Sequence, residues 1–216
     1  IIVANLNFDF LNFEIFFEPE ECININKLDN FLKTENMGLL FNARQGGGRI
    51  VSDGIDKLYF TIGDYRVRDN AQKKDSIFGK ILSINKTNRK KSLVSMGHRN
   101  SQGLYYDRQN KLIYFTDHGP EGGDEVNVIN SLDNNSLEVK NYGWPISSYG
   151  NHYGTSGNKN VHDRKILNKK YPFYKSHKDY GFIEPITFFS PSIGISEIIK
   201  LENDFLESEN IELLVG

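Results

Sequence analysis

The chain has 216 residues, 38% of them hydrophobic and 12% aromatic, with a formal net charge of −2. That is long enough to bury a real core, argues against gross disorder, and gives no reason to expect a nucleic-acid binder. The single cysteine, Cys22, excludes an internal disulfide framework and a cysteine zinc cluster.

From the N-terminus, the first apolar segment carries Asp9, Glu14 and Glu18 in place of a basic leader region, so it does not read as a signal peptide. No apolar run approaches the length that crosses a bilayer. The chain starts at Ile1 and stops inside a strand-like IELLVG, so both ends read as cut from a longer protein. KLDNFLKTENMGLL, residues 27–40, is expected to form a short helical turn.

NARQGGGRIV, residues 42–51, then puts three glycines before an arginine. A phosphate-binding glycine loop feeds a helix N-terminus, whose free N–H groups hold the anion. Here the glycines feed a strand, a turn at Asp53-Gly54 and a second strand through Ile62, so a phosphate cradle is disfavoured.

The pattern recurs. GRIVSDGIDKLYFTIGD and GLYYDRQNKLIYFTDHG each hold an apolar strand, an aspartate, a turn, Lys-Leu and an aromatic strand closing on threonine. Asp53 and Asp107 are 54 residues apart, and Thr61 and Thr116 are 55 apart. Short-strand repeats of roughly 40–50 residues mark propeller blades. Blade-like units are expected near 48–64, 103–119 and 193–216 of a single incomplete propeller domain spanning 1–216. Between the last two, residues 141–181 form a long polar segment rich in Gly, Tyr, Asn and Lys. Its tyrosines and lysines could stack bases and neutralise phosphates, but a solvated functional insertion is the better reading in a net-acidic chain.

Four turns carry candidate chemistry. GHRNSQG, 97–103, offers the planar donor fork of an arginine and an asparagine that both donates and accepts. DHGPEGGDEVN, 117–127, mixes exposed backbone carbonyls with carboxylates, the oxygen set that calcium takes. NYGWP, 141–145, and SPSIG, 190–194, complete the group. Each alone is an ordinary β-turn.

In their order, GGRI, TIGD, GKIL, GHRN, HGP with GGDEVN, NYGWP with SYG, and PSI resemble the glucose/sorbosone dehydrogenase family over roughly residues 46–216. The resemblance implies an all-β, six-bladed propeller of which this chain covers a central part, about three to four blades. It implies a soluble aldose sugar dehydrogenase using pyrroloquinoline quinone and calcium, with a sugar and an electron acceptor as partners. It also implies a periplasmic or secreted location and no membrane span, and it allows a homodimer. By motif, Arg99 and Asn100 stand where the family contacts the quinone, and the carbonyls of Gly119 and Pro120 where it holds calcium. Asp124, Glu125 and Tyr142 match a second, structural calcium site. The segments 97–103 and 117–125 are therefore expected to converge on one ion and ring system.

One position departs. The family's catalytic base is a histidine four residues before the arginine of the glycine turn; here that arginine is Arg49 and the position is Gln45. A glutamine amide has no useful basicity, and Arg44 beside it stays protonated. A positioned base is worth roughly 10²–10⁴ in rate, so the resemblance implies slow turnover or none. His98 or His118 reaching the pocket would supply a substitute. Gln45 favours a rival reading, a non-catalytic propeller that binds a sugar or a protein, as hedgehog-interacting-like propellers do. The intact GHRN and HGP segments favour the enzyme, and an unrelated propeller with coincidental turns is a third reading.

Overall fold

The computed structural model describes residues 1–6, 11–24, 44–130, 139–153, 161–201 and 213–216. The helical turn expected at 27–40 lies outside the described residues. A hairpin of β1 (Ile2–Leu6) and β2 (Leu11–Ile15) comes first. The first large sheet is an antiparallel meander of β3 (Gly47–Ser52), β4 (Lys57–Ile62), β5 (Lys80–Asn85) and β6 (Lys91–Met96). A short β10 (Lys140–Asn141) adds to the outer edge of β6 in parallel. The second sheet is β7 (Gly103–Asp107), β8 (Leu112–Asp117), β9 (Asp124–Ile129) and β11 (Thr187–Phe189). A third begins with β12 (Ile198–Lys200) and β13 (Leu213–Val215). The first strands of successive sheets, β3, β7 and β12, lie beside one another.

These sheets stack face to face because their strands are apolar on both sides, with the two-residue period of a pleated strand. Tyr59 and Ile81 of the first sheet pack against Leu104, Ile113, Phe115 and Ile129 of the second. On its other face Phe60, Leu82 and Ile84 meet Ile1, Phe16 and Phe17 of the N-terminal segment. Beyond the second sheet, Val126 packs with Ile195 and Ile198. Each fully buried large side chain in these seams contributes roughly 1.5–3 kcal/mol.

The repeated residues have repeated jobs. Asp53 accepts from the N–H groups of Ile55 and Lys57, and Asp107 from those of Gln109 and Asn110, so each aspartate shapes its hairpin turn. Each closing threonine ties one sheet to the next: Thr61 Oγ1 donates to the Ser101 carbonyl (2.8 Å), and Thr116 Oγ1 to that of Ser196. Gly47 (φ 66°) and Gly48 (φ 102°) sit at an irregularity of β3, where their N–H groups turn to Asn100 Oδ1 and Thr61 Oγ1. The glycine run thus serves a strand. Residues 141–181 are not all irregular: helix α1 (Val161–Lys170) and a 3-10 turn (Lys178–Tyr180) lie within them.

Candidate functional site

Chain segments leaving β4, β6 and β8 emerge at the same end of the two sheets and meet there. They supply Gly63-Asp64, Gly97-Arg99 and Asp117-Pro120, and the turn after β10 adds Tyr142 and Trp144. Between them lies a cavity of about 240 Å³, partly open to solvent, whose lining includes Arg99, Asp117, Gly119, Pro120, Glu125 and Tyr142. Trp144 and His177 complete its aromatic wall.

Arg99 is 4% exposed and firmly placed. Its backbone N–H donates to Asp117 Oδ2 (2.9 Å), while Nη1 donates to the His118 carbonyl (2.5 Å) and Nη2 to the Tyr153 hydroxyl (3.3 Å). Its guanidinium carbon lies 5.4 Å from the Trp144 ring centre and 5.8 Å from that of Tyr153. Nε is buried without a partner. A buried, unsatisfied donor is costly, and in a cavity it marks where a ligand oxygen belongs.

Gln45 reaches this same arginine. Its amide nitrogen donates to Asp64 Oδ1 (2.8 Å) and its amide oxygen accepts from Arg99 Nη2 (2.8 Å). Asp64 also accepts from the Trp144 indole N–H (2.7 Å). Burial raises the Asp64 pKa in spite of Arg99 nearby. A residue at position 45 therefore sits between a carboxylate and the cavity's cation, where a histidine would be oriented by Asp64.

The carboxyl groups on the far side are set by burial. Asp117 is pushed up to about 6, and Glu125, its cross-strand partner, well above the usual range by burial and by Asp117. His177 Nε2 lies 3.4 Å from Glu125 Oε1, and burial lowers its ring to about 4. The Glu125 carboxyl, which shares the cavity lining with Gly119 and Pro120, suits a cation, whose charge would return it to the ionised form. Among the described residues no three His, Cys, Asp or Glu side chains cluster as a metal site, so a cation here would lean on backbone carbonyls.

Of the residues picked from sequence, Arg99, Gly119, Pro120, Glu125 and Tyr142 share this cavity. Two stand behind it. Asn100 accepts from the Gly47 N–H (3.1 Å) and gives its own N–H to Asp117 (2.6 Å), joining the sheets. Asp124 spends both oxygens inside the protein, on His118, the Gly119 N–H, Ser192 and the N–H groups of 193–195. Those bonds outweigh its burial and hold its carboxyl far below the usual range. Tyr142 gives its hydroxyl to the Val128 carbonyl (2.7 Å). His98 is fully buried, paired with Ser95 (2.7 Å), and lowered to about 3 by burial and by Lys80; His118 is turned to Asp124 (2.9 Å). Neither ring lines the cavity. Sequence reading missed Asp64, Asp117, Tyr153 and His177 as site residues; each aspartate follows closely on the closing threonine of its repeat, a signal that could have revealed them.

Several tyrosines and one lysine of the 141–181 segment are engaged with the protein itself. Tyr149 stacks on Phe188 and His177, Tyr174 on Tyr180, and Lys175 donates to the carbonyls of Ser148 and Gly150.

Stacked antiparallel sheets whose strand ends meet around a cavity define a β-propeller. The family model for Glucose / Sorbosone dehydrogenase matches residues 25–216, and the chain belongs to that family. It is 25% identical to the aldose sugar dehydrogenase of Escherichia coli strain K12, over 83% of this chain and 47% of that protein. It is 26% identical to quinoprotein glucose dehydrogenase B of Acinetobacter calcoaceticus, over 58% of this chain and 33% of that protein. The crystal structure of the apo-form of the soluble E. coli aldose sugar dehydrogenase superposes with a TM-score of 0.60 at 26% identity, covering 79% of this chain and 47% of that one. The chain thus spans about half the length of the relatives it matches. No helix among the described residues is long and apolar enough to cross a membrane.

Proposed function

We propose that the protein is a pyrroloquinoline-quinone-dependent aldose dehydrogenase in architecture, exported to the periplasm or beyond, whose proton-accepting step is impaired at Gln45. The observation that carries this reading is the buried, partnerless Nε of Arg99, a residue that lines one cavity with Gly119, Pro120 and Glu125. These groups fit the cofactor: a fixed cation for its oxygens, and carbonyl and carboxyl oxygens for a calcium ion beside it. The chain spans about half the length of its aldose sugar dehydrogenase relative, so the rest of the propeller would supply further walls to this site.

Bound there, the quinone supplies a two-electron acceptor for the hydride that leaves the anomeric carbon. Arg99, with the Trp144 and Tyr153 rings beside its guanidinium, would present Nε–H to an oxygen of the quinone. Gly119, Pro120 and Glu125 would hold a calcium ion, with Tyr142 and Asp124 supporting the turns that carry them. Asp64 orients whatever stands at position 45. Oxidation also releases the proton of the anomeric hydroxyl, and a neutral amide cannot accept it.

The test is titration with the quinone and calcium, followed through the fluorescence of Trp144, the chain's single tryptophan, with a dye-reduction assay over several aldoses. Quinone binding is expected in the unmodified protein, with turnover rising at least about 10²-fold in Gln45→His. Absence of quinone binding to both forms rejects the enzyme. The rival, a non-catalytic propeller that binds a sugar or protein, is favoured by one observation: Gln45 is locked at both ends of its amide. It gains if sugar binds and no variant turns over.

A further inference from the structure

A planar guanidinium has two edges at which it can hold a pair of oxygens. One edge uses Nε and Nη2, the other Nη1 and Nη2; the third is blocked by the side chain's own Cδ. Every paired contact therefore takes a hydrogen of Nη2. In Arg99 both Nη2 hydrogens have acceptors, the Gln45 amide oxygen at 2.8 Å and the Tyr153 hydroxyl at 3.3 Å, while Nε has none. An incoming oxygen pair has to dislodge one of the two.

The two are unequal. Gln45 is tied through its amide nitrogen to Asp64 (2.8 Å) and through its carbonyl to the Tyr65 N–H (3.2 Å). Tyr153 is 46% exposed, and its contact is long for an O···H–N bond. We propose that Tyr153 is a placeholder: its hydroxyl occupies the arginine edge until a ligand with two adjacent oxygens, a carboxylate or an ortho-dicarbonyl, displaces it. Rotation about χ1 carries its half-exposed ring, and the hydroxyl with it, out to water. The inference rests on reading the Arg99 cavity as a ligand site, and it makes Tyr153 a residue that weakens binding of the right ligand.

The test uses ¹⁵N-labelled protein, with the Arg99 Nε–H resonance identified by its loss in Arg99→Lys. Pyrroloquinoline quinone and oxalate are titrated into the unmodified protein and Tyr153→Phe, which keeps the ring. Losing one competing hydrogen bond is expected to tighten binding about threefold to tenfold in Tyr153→Phe, with the Nε–H resonance shifting in both proteins. In an Arg99→Lys background, which has no paired edge, Tyr and Phe at 153 are expected to bind alike. Equal or weaker binding to Tyr153→Phe overturns the proposal, as does an Nε–H signal that neither ligand moves. If oxalate binds Tyr153→Phe more tightly while the quinone binds neither form, the placeholder stands and the quinone reading falls.

Discussion

Asp107 does two jobs with one carboxylate. Oδ1 shapes the β7–β8 turn, and Oδ2 accepts from Asn110 Nδ2 and from Lys200 Nζ of the next blade, each at 2.8 Å. Burial raises its pKa, but the bonds from Lys200 and Asn110 outweigh it and bring the group to about 2. A carboxylate lowered on folding stabilises the fold above its unfolded value, about 4, and loses that contribution as pH falls through its folded value. The melting temperature of Asp107→Asn is therefore expected to lie well below that of the unmodified protein at pH 6, with the gap closing by pH 2. Gln45 marks the same economy of position: one amide serves Asp64 at one end and Arg99 at the other.

Strands β4 and β8 each carry a threonine just before their last residue. Thr61 Oγ1 accepts from the N–H groups of Gly48 and Arg49 and donates to Ser101, so three backbone groups from two blades depend on it. Thr61→Val keeps the shape and removes the hydroxyl. It is expected to cost about 1–3 kcal/mol in urea denaturation, the penalty for polar groups left unsatisfied, with Thr61→Ser recovering most of it. Gly63, just beyond β4, is constrained more tightly: a Cβ there would lie 1.8 Å from the Gln45 carbonyl oxygen. That close approach holds the Gln45 segment against Asp64.

Across the blades, two kinds of contact compete for credit. Arg49 reaches from β3 to Glu197 beside β12 (2.5 Å) and donates Nε to the Gln102 carbonyl, bridging three blades near the propeller axis. Both side chains of that ion pair are over 40% exposed, so it is worth little in water. Phe115 is fully buried in the seam between the first two sheets. Phe115→Ala is expected to cost about 3–5 kcal/mol, against less than about 1 kcal/mol for Arg49→Ala; chemical denaturation of both variants checks the order. Apolar seams hold the stack together, and the axial charges tune its register.

The hairpins were legible because their causes are local. An aspartate capping its own turn and a two-residue apolar period both act within about 15 residues, so each repeat announces itself. Much of the candidate site was legible too, through GHRN and HGP, because backbone donors and acceptors keep fixed offsets inside a turn. Tertiary structure alone decided the rest. Trp144 reaches Asp64 from 80 residues away, and Tyr153 reaches Arg99 from 54. It also turned Asp124 and Asn100 inward, since a buried polar group goes wherever neighbouring blades leave an unpaired donor. Strand pattern is a property of the chain; which strand ends face one another is a property of the stack.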